Sequence, residues 1–303
     1  MTAPARRAQP SLWNRFRSWS RFEGLGTHLV MIVVLFVILL PLLWIIGTSF
    51  KDRLEFATNS GALIPRRWSL VNYQYMFSSV ENLPIYMRNS FILAFGTVAL
   101  QVFVSSLAGY AFARMQFRFR DAIFLGILIS MFIPRGGGLM ALYELMNFLH
   151  LRNSLFGLIL LFSSSVTVPI FIMRQTFQAI PKEIEESAFI DGANWFQVFL
   201  RIAMPMAAGG TVVIATLSFI GVWSDFLITY TLIDKDLQMT ISVGIRKLLV
   251  IYTDAISPKY RGQFAQEAAD STMLLFAAIP VIVFYAVFQR WMMKGLMEGA
   301  IKF

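Results

Sequence analysis

Five stretches of the chain contain no charged side chain: residues 24–50, 89–113, 153–173, 202–224 and 271–289. A helix needs about 20 predominantly apolar residues to cross a bilayer, so each stretch is long enough to span one. A sixth run, 122–149, has a similar length but is interrupted by Arg135 and Glu144. Polar and apolar residues do not alternate at strand spacing in these runs, and inside hydrocarbon only helices and closed barrels pair every backbone group. The pattern predicts an all-α polytopic membrane protein with six transmembrane helices, at about 27–49, 89–113, 122–149, 153–174, 205–232 and 270–290. They form one expected membrane domain, 27–303, after an N-terminal arm of residues 1–26.

Composition agrees. The 303 residues are 57% hydrophobic and 14% charged, with mean hydropathy +0.65, against roughly 25% charged in a soluble domain. The arm carries Arg6, Arg7, Arg15, Arg17 and Arg21. Its apolar run is too long for a signal peptide and lacks a small-residue cleavage site, so the first span is expected to stay as an anchor. Basic residues near span ends favour the cytoplasm, which places the N-terminus inside and, with six spans, the C-terminus too. The inner segments are then 114–121 with Arg114, Arg118 and Arg120, the loop 174–205, and a tail with Arg290, Lys294 and Lys302. Net charge +9 fits a chain facing anionic lipid in the cytoplasmic membrane, and nothing in the sequence suggests nucleic-acid binding.

Several chemistries are excluded. Cysteine is absent, which removes disulfides, Cys-ligated zinc and thiol catalysis. His28 and His150 lie near span ends without ligand spacing, so no metal site is expected. The Gly136–Gly138 cluster is not a phosphate-binding loop, because no Lys follows it in a strand–helix context. No catalytic residue is assigned, and the chain is expected to bind no cofactor.

Between the fourth and fifth apolar runs lies the most informative segment, about 180–205. Ile180–Pro181 suits a helix start, with Glu183, Glu185 and Glu186 in the first turns where the helix dipole favours negative charge. Asp191–Gly192 suits its end. Phe196, Phe199 and Ile202 then recur every three residues as one apolar face, and Pro205 marks the start of the fifth span. A helix–turn–helix across the membrane surface is predicted, and periodicity alone leaves an ordinary interfacial connector open.

The spacing goes further. Glu186, Ser187 and Ala188, then three residues, Gly192, nine residues, Ile202, one residue, Met204 and Pro205 resemble the EAA signature, E-A-A-x3-G-x9-I-x-L-P, of permease subunits in ATP-binding-cassette importers. Ser187 and Met204 are the departures. AGYAFARMQFRFRD from Ala108, RQTFQAIPKEIEESAFIDGA from Arg174, FIGVWSDF from Phe219 and QRWMMKGLMEGAIK from Gln289 are similar to the carbohydrate-uptake, maltose-type branch, and the resemblance covers about 25–302. It implies a type I ABC importer permease fold with cytoplasmic EAA coupling helices. It also implies a heterodimer with a second permease, two cytoplasmic ATP-binding subunits that use ATP and Mg, and an extracytoplasmic solute-binding protein. Glu186, Ser187, Ala188, Asp191, Gly192, Ala193 and Pro205 are implied to couple to the ATPase. The expected cargo is a carbohydrate, an oligosaccharide first, with a polyol or glycerol phosphate-type solute as the alternative.

Polar groups inside spans are costly and tend to face a cavity, so Arg135, Glu144 and Asp225 are candidates for the substrate path. Ser164 and Thr167, in a Ser/Thr/Pro patch of the fourth span, and Trp223 and Tyr230, beside Asp225 in the fifth, join them. Arg135 after Pro134 marks either a pore-lining break or a kink at the outer end of the third span. The outer segments 51–88 and 234–270 are expected to form surface helices, with Trp68, Tyr73, Tyr75 and Met76 as apolar contacts for the binding protein or for lipid. A secondary transporter or channel for a small polar solute, which also shows broken helices, is the rival reading; inverted repeats, often its mark, are not detected. An intramembrane enzyme is a second rival, but Arg135, Glu144 and Asp225 are scattered, without nucleophile or metal spacing.

Overall fold

A computed structural model describes residues 12–79, 81–133, 138–251, 262–263 and 265–300. All the regular structure among these residues is helical, with no strand among them. In chain order the α-helices are α1 (Leu12–Ser49), α2 (Arg53–Asn59), α3 (Val71–Ser79), α4 (Leu83–Arg114), α5 (Arg120–Ser130), α6 (Leu139–Phe148), α7 (Leu155–Ser163) and α8 (Thr167–Ala179). They continue as α9 (Lys182–Ile190), α10 (Trp195–Val198), α11 (Met204–Met206), α12 (Ala208–Trp223), α13 (Leu227–Leu232), α14 (Ile241–Ile251) and α15 (Gln266–Ala300). The residues of the basic arm up to 11 lie outside the described residues, and so does Arg135.

Three helical stretches are long and apolar enough to cross a membrane: Gly26–Ser49, Leu83–Arg114 and Gln266–Met293. Two bent pairs qualify if each counts as one span, α7 with α8 at 52° and Trp195–Met206 with α12 at 74°, which gives up to five among the described residues. The run 122–149 is divided between α5 and α6, of 11 and 10 residues, neither of which reaches across alone.

The chain divides into two compact units. The first joins residues 1–74 to 260–272. Its α1 leaves Leu29–Ile38 exposed, as a helix solvated by hydrocarbon does. Beyond α1, the fully buried Lys51 ammonium donates to the carbonyls of Asn59, Ser60 and Ala62, at 2.8, 3.0 and 2.7 Å. A cation there satisfies groups freed at the C-terminal end of α2 and complements its dipole; burial lowers the Lys51 pKa from its usual value. Glu55 accepts from the Asn59 amide at 3.0 Å and the Arg66 backbone N–H at 2.8 Å, and these bonds hold its carboxyl below the usual range. Tyr73 bonds Ser49 through its hydroxyl at 2.9 Å.

The second unit, 75–259 with 273–303, is organised around α4, which packs against α7, α8, α12 and α14. Its buried face carries Asn89, Ser90, Thr97, Gln101, Ser105, Ser106 and Gly109, small and hydrogen-bonding residues of the kind that let membrane helices approach closely. Against α8 the approach is close at Gly109, where an added Cβ would lie 2.5 Å from the Met173 Cβ. At the cytoplasmic-predicted end Tyr110, Met173, Phe177, Ile180, Phe199, Ala203, Ala207 and Ile214 form one core. Phe219 of α12 stacks on Phe284 of α15 at 3.9 Å. Tyr75 and Met76, expected as outward contacts, are buried, whereas Trp68 is 65% exposed.

Two outcomes follow. Because the native Glu55 pKa is depressed, its carboxylate stabilises the 51–66 segment above its ordinary pKa of about 4.5, and that contribution disappears as pH falls through the native value. Hydrogen exchange at the Arg66 amide is expected to accelerate in that acid window and to stay slow at neutral pH. Gly109→Val is expected to lower thermal stability by at least the ~1–3 kcal/mol typical of overpacking, read as a reduced melting temperature of the detergent-solubilised protein.

Candidate functional site

The 181–207 segment is built as two short arms joined by a closed turn. Pro181 caps α9 in extended conformation, φ −57° and ψ 132°, so the first helical residue is Lys182; Glu183 and Glu185 occupy the first turn. The helix ends through Gly192 at φ +89°. Its N–H bonds the Phe189 carbonyl and the Ala193 N–H bonds that of Ala188, both at 3.0 Å. This is the Schellman pattern, and it requires the left-handed conformation that glycine adopts without penalty.

The second arm starts two residues later. Asn194 and Gln197 form a capping box, each side chain accepting the other's backbone N–H at 2.9 Å. Phe189 and Trp195 close over the turn with ring centroids 4.5 Å apart. After α10 the backbone widens into a π-helical turn over Phe199–Ala203, where the Met204 N–H reaches back to Phe199. Pro205 offers no N–H. The chain then bends into α12.

The two faces of this element differ. Ala188, Val198, Phe199 and Ala203 are buried, while Ile190 is 86% and Phe196 63% exposed. Glu186, Ser187, Asp191 and Gly192 are exposed, and Ala193 is half-buried. The Ser187 hydroxyl is satisfied by the Ile184 carbonyl at 2.9 Å.

Glu185, which the sequence pattern grouped with its acidic neighbours, points the other way. It is 3% exposed. Its Oε1 accepts from Arg114 Nε at 2.8 Å and its Oε2 from the Tyr110 hydroxyl at 3.0 Å. The second arm of the guanidinium donates to the Ile180 carbonyl at 2.7 Å. No short-range signal marks this pairing, because Arg114 lies 71 positions earlier.

A cavity of about 830 Å³ lies in the second unit at the breaks between α7 and α8 and after α12. Of the predicted path residues it brings together Ser164, Thr167 and Asp225, with Ser165 of the same Ser/Thr/Pro patch, and adds Gln101, Ser130 and Ser218, which sequence reasoning missed. Gln101 donates to the carbonyls of Phe162 and Ser165 at 2.8 and 3.1 Å, satisfying backbone freed at the 52° bend. Thr167 and Ser130 share a hydrogen bond of 3.0 Å. Asp225 Oδ1 accepts from the backbone and hydroxyl of Thr229, at 3.0 and 2.9 Å. The rest of the wall is apolar, mostly valine, isoleucine and leucine with Met131 and Phe162. Hydroxyls, an amide and a carboxylate on an apolar ground suit a polyhydroxylated solute.

Trp223 and Tyr230 do not line this cavity. Trp223 is buried, with its indole N–H on the Ala277 carbonyl at 3.0 Å. Tyr230 is 55% exposed and stacks on Phe226 at 5.2 Å. Glu144 is exposed on α6. Among the described residues no group of three or more His, Asp or Glu side chains is placed to hold a metal ion.

Residues 101–296 match the model of the family described as binding-protein-dependent transport system inner membrane component. The chain is 29% identical to the sulfoquinovosyl glycerol transport system permease protein of Agrobacterium fabrum, over 93% of this chain and 96% of that protein. It is 30% identical to the maltose/maltodextrin transport system permease protein of Photorhabdus laumondii, over 93% and 97%. It is also 31% identical to a probable ABC transporter permease protein of Pyrococcus horikoshii, over 87% and 92%. A chain from the crystal structure of a bacterial ABC transporter involved in the import of the acidic polysaccharide alginate shares the fold, with TM-score 0.79 and 20% identity over 89% of this chain and 96% of that one.

Gln101→Ala is expected to cost about 1–3 kcal/mol, because it removes the Gln101 donor from the Ser165 carbonyl and leaves the Phe162 carbonyl with the Ser165 N–H alone at the α7–α8 break. A fall in melting temperature, together with loss of protection at the amides flanking 164–166, checks it.

Proposed function

Because the chain belongs to the family of binding-protein-dependent transport system inner membrane components, we propose that it is one permease of an ATP-driven carbohydrate importer. A second permease completes the translocation path, two cytoplasmic ATP-binding subunits supply the energy with ATP and Mg, and an extracytoplasmic protein delivers the cargo. The chain then crosses the cytoplasmic membrane six times, with α5 and α6 together as the third crossing and both termini inside. The relatives' printed cargoes, a sulfoquinovosyl glycerol and maltodextrins, together with the hydroxyl-lined cavity, favour an oligosaccharide or glycoside.

The observation that carries the reading is the 181–207 element. It exposes the Glu186 carboxylate, without an ion pair among the described residues, together with Ile190 and Phe196, on an element whose turn is closed by Gly192 and the Asn194–Gln197 box. An apolar tip beside a charge, on a rigid support, suits insertion into a partner's groove with an ion pair at its rim. Closure of the ATP-binding subunits would draw two such elements together and open the path outward. Release would reverse it, as alternating access driven by different contacts in each state. Ser164, Thr167 and Asp225 then border the path in this subunit.

The test is cargo-stimulated ATP hydrolysis and transport by the purified complex, comparing wild type with Glu186→Ala and Gly192→Val. Valine at φ +89° costs about 1–2 kcal/mol or more and re-aims the turn. Both variants are expected to retain the spans, as read by melting, and to lose transport by an order of magnitude or more. A panel of neutral and acidic oligosaccharides, polyols and glycerol phosphodiesters then identifies the cargo. Transport of solute down an ion gradient by the isolated chain, unaffected by either substitution, would replace this reading with a secondary transporter.

A further inference from the structure

The two-residue link between α8 and α9 is Ile180–Pro181, both extended, with ψ 129° and 132°. Neither residue donates a helical hydrogen bond across the junction, so the link by itself is a hinge, and α9 would swing freely about the end of α8. One side chain spans it. Arg114, on the last turn of α4, donates to the Ile180 carbonyl on the link and to the Glu185 carboxylate beyond it, at 2.7 and 2.8 Å. Tyr110, one helical turn earlier on the same face, holds the other oxygen of Glu185 at 3.0 Å. Both partners of the ion pair are 5% exposed in their side chains. The third side of this triangle is the close approach of α4 to α8 at Gly109 and Met173.

We infer that Arg114, Glu185 and Tyr110 form a brace that turns the Ile180–Pro181 hinge into a fixed elbow, so that displacement of the coupling element is delivered to α4 and along it to the cavity. The inference rests on the coupling role proposed above. Gln101, which lines the cavity and caps the α7–α8 break, stands on the same helix, 13 residues and roughly 20 Å of helical rise from Arg114. A continuous α-helix transmits a push over that length without bending. Glu185 and Arg114 are thus positioning residues for transport: they touch neither nucleotide nor cargo, and they set the angle at which Glu186 and Ile190 are presented.

A purely stabilising ion pair can be replaced by neutral residues at little cost, whereas breaking one side strands a buried charge. The informative variant therefore removes both charges, Arg114→Met with Glu185→Gln, in the complete complex of permeases, ATP-binding subunits and binding protein. The expected result is a complex that assembles and hydrolyses ATP within about twofold of wild type, while solute moved per ATP falls at least about fivefold, the lower range of an allosteric coupling. Arg114→Lys keeps the charge but cannot reach both oxygens with a planar fork, and is expected to give an intermediate ratio. The chain has no cysteine, so spin labels at Ile190→Cys on α9 and Leu125→Cys on α5 report the elbow directly. One narrow distance is expected with the brace intact, and a broadened distribution without it.

An unchanged transport-to-hydrolysis ratio, or an unchanged distance distribution, in the double variant overturns the proposal. So does failure of both the double variant and Arg114→Lys to assemble, which makes the pair a requirement of folding alone. Absence of binding-protein-dependent hydrolysis in the wild-type complex removes the importer reading, and the brace with it.

Discussion

A peptide group freed inside hydrocarbon has no water to bond, and leaving it unpaired costs several kcal/mol. That requirement governs how this chain is allowed to interrupt its helices. Three interruptions among the described residues of the second unit are met by side chains of α4. Near its start Asn89 takes the carbonyls of Leu237 and Met239, and the Ser90 hydroxyl takes the Ile241 N–H. At its middle Gln101 takes two carbonyls at the α7–α8 bend, and at its end Arg114 takes that of Ile180. One unbroken helix therefore licenses three breaks in its neighbours. The cavity lies at the second of these breaks and the proposed coupling element begins at the third, so the places where the backbone departs from a plain span are also the places where chemistry is available.

Much of this was legible in the sequence, for reasons that can be named. Charge-free runs are a direct readout of the solvent, which is why α4, α15 and the apolar part of α1 were expected close to where they lie. The turn at Asp191–Gly192 was legible because a positive φ restricts residue choice so strongly that glycine marks it. Bends were not legible. Hydropathy carries no direction: the 52° break falls inside a run that read as continuous, and the 74° bend lies beside the boundary expected at Pro205 but with no angle given by the sequence; the Ser163–Ser165 cluster hinted at weakness only. Burial was misread where an amphipathic face is short. Tyr75 and Met76 sit on a nine-residue helix whose period cannot say which side is covered. Trp223 beside Asp225 had the composition of a sugar site, but the fold spends its indole on a backbone carbonyl of α15.

The contrast between Glu185 and Glu186 shows what composition cannot resolve. Adjacent residues on a helix point about 100° apart, so two identical carboxylates in a row acquire opposite environments. Glu186 is exposed and costs the fold almost nothing. Glu185 must recover its desolvation from Arg114 and Tyr110, and a buried ion pair is a poor way to gain stability, since well-packed apolar side chains of the same volume would do as well or better. What an apolar contact cannot do is fix direction. The guanidinium fork presents donors in a rigid plane, one to the link and one to the helix beyond it, and the angle between α8 and α9 follows from that geometry. A soluble motor can drive a membrane protein only through an element that does not yield when pushed. On the proposed coupling role, the cost of burying two charges at the base of α9 is the means of making that element stiff, while the exposed carboxylate and the apolar tip one turn away are the surface offered to the ATP-binding partner.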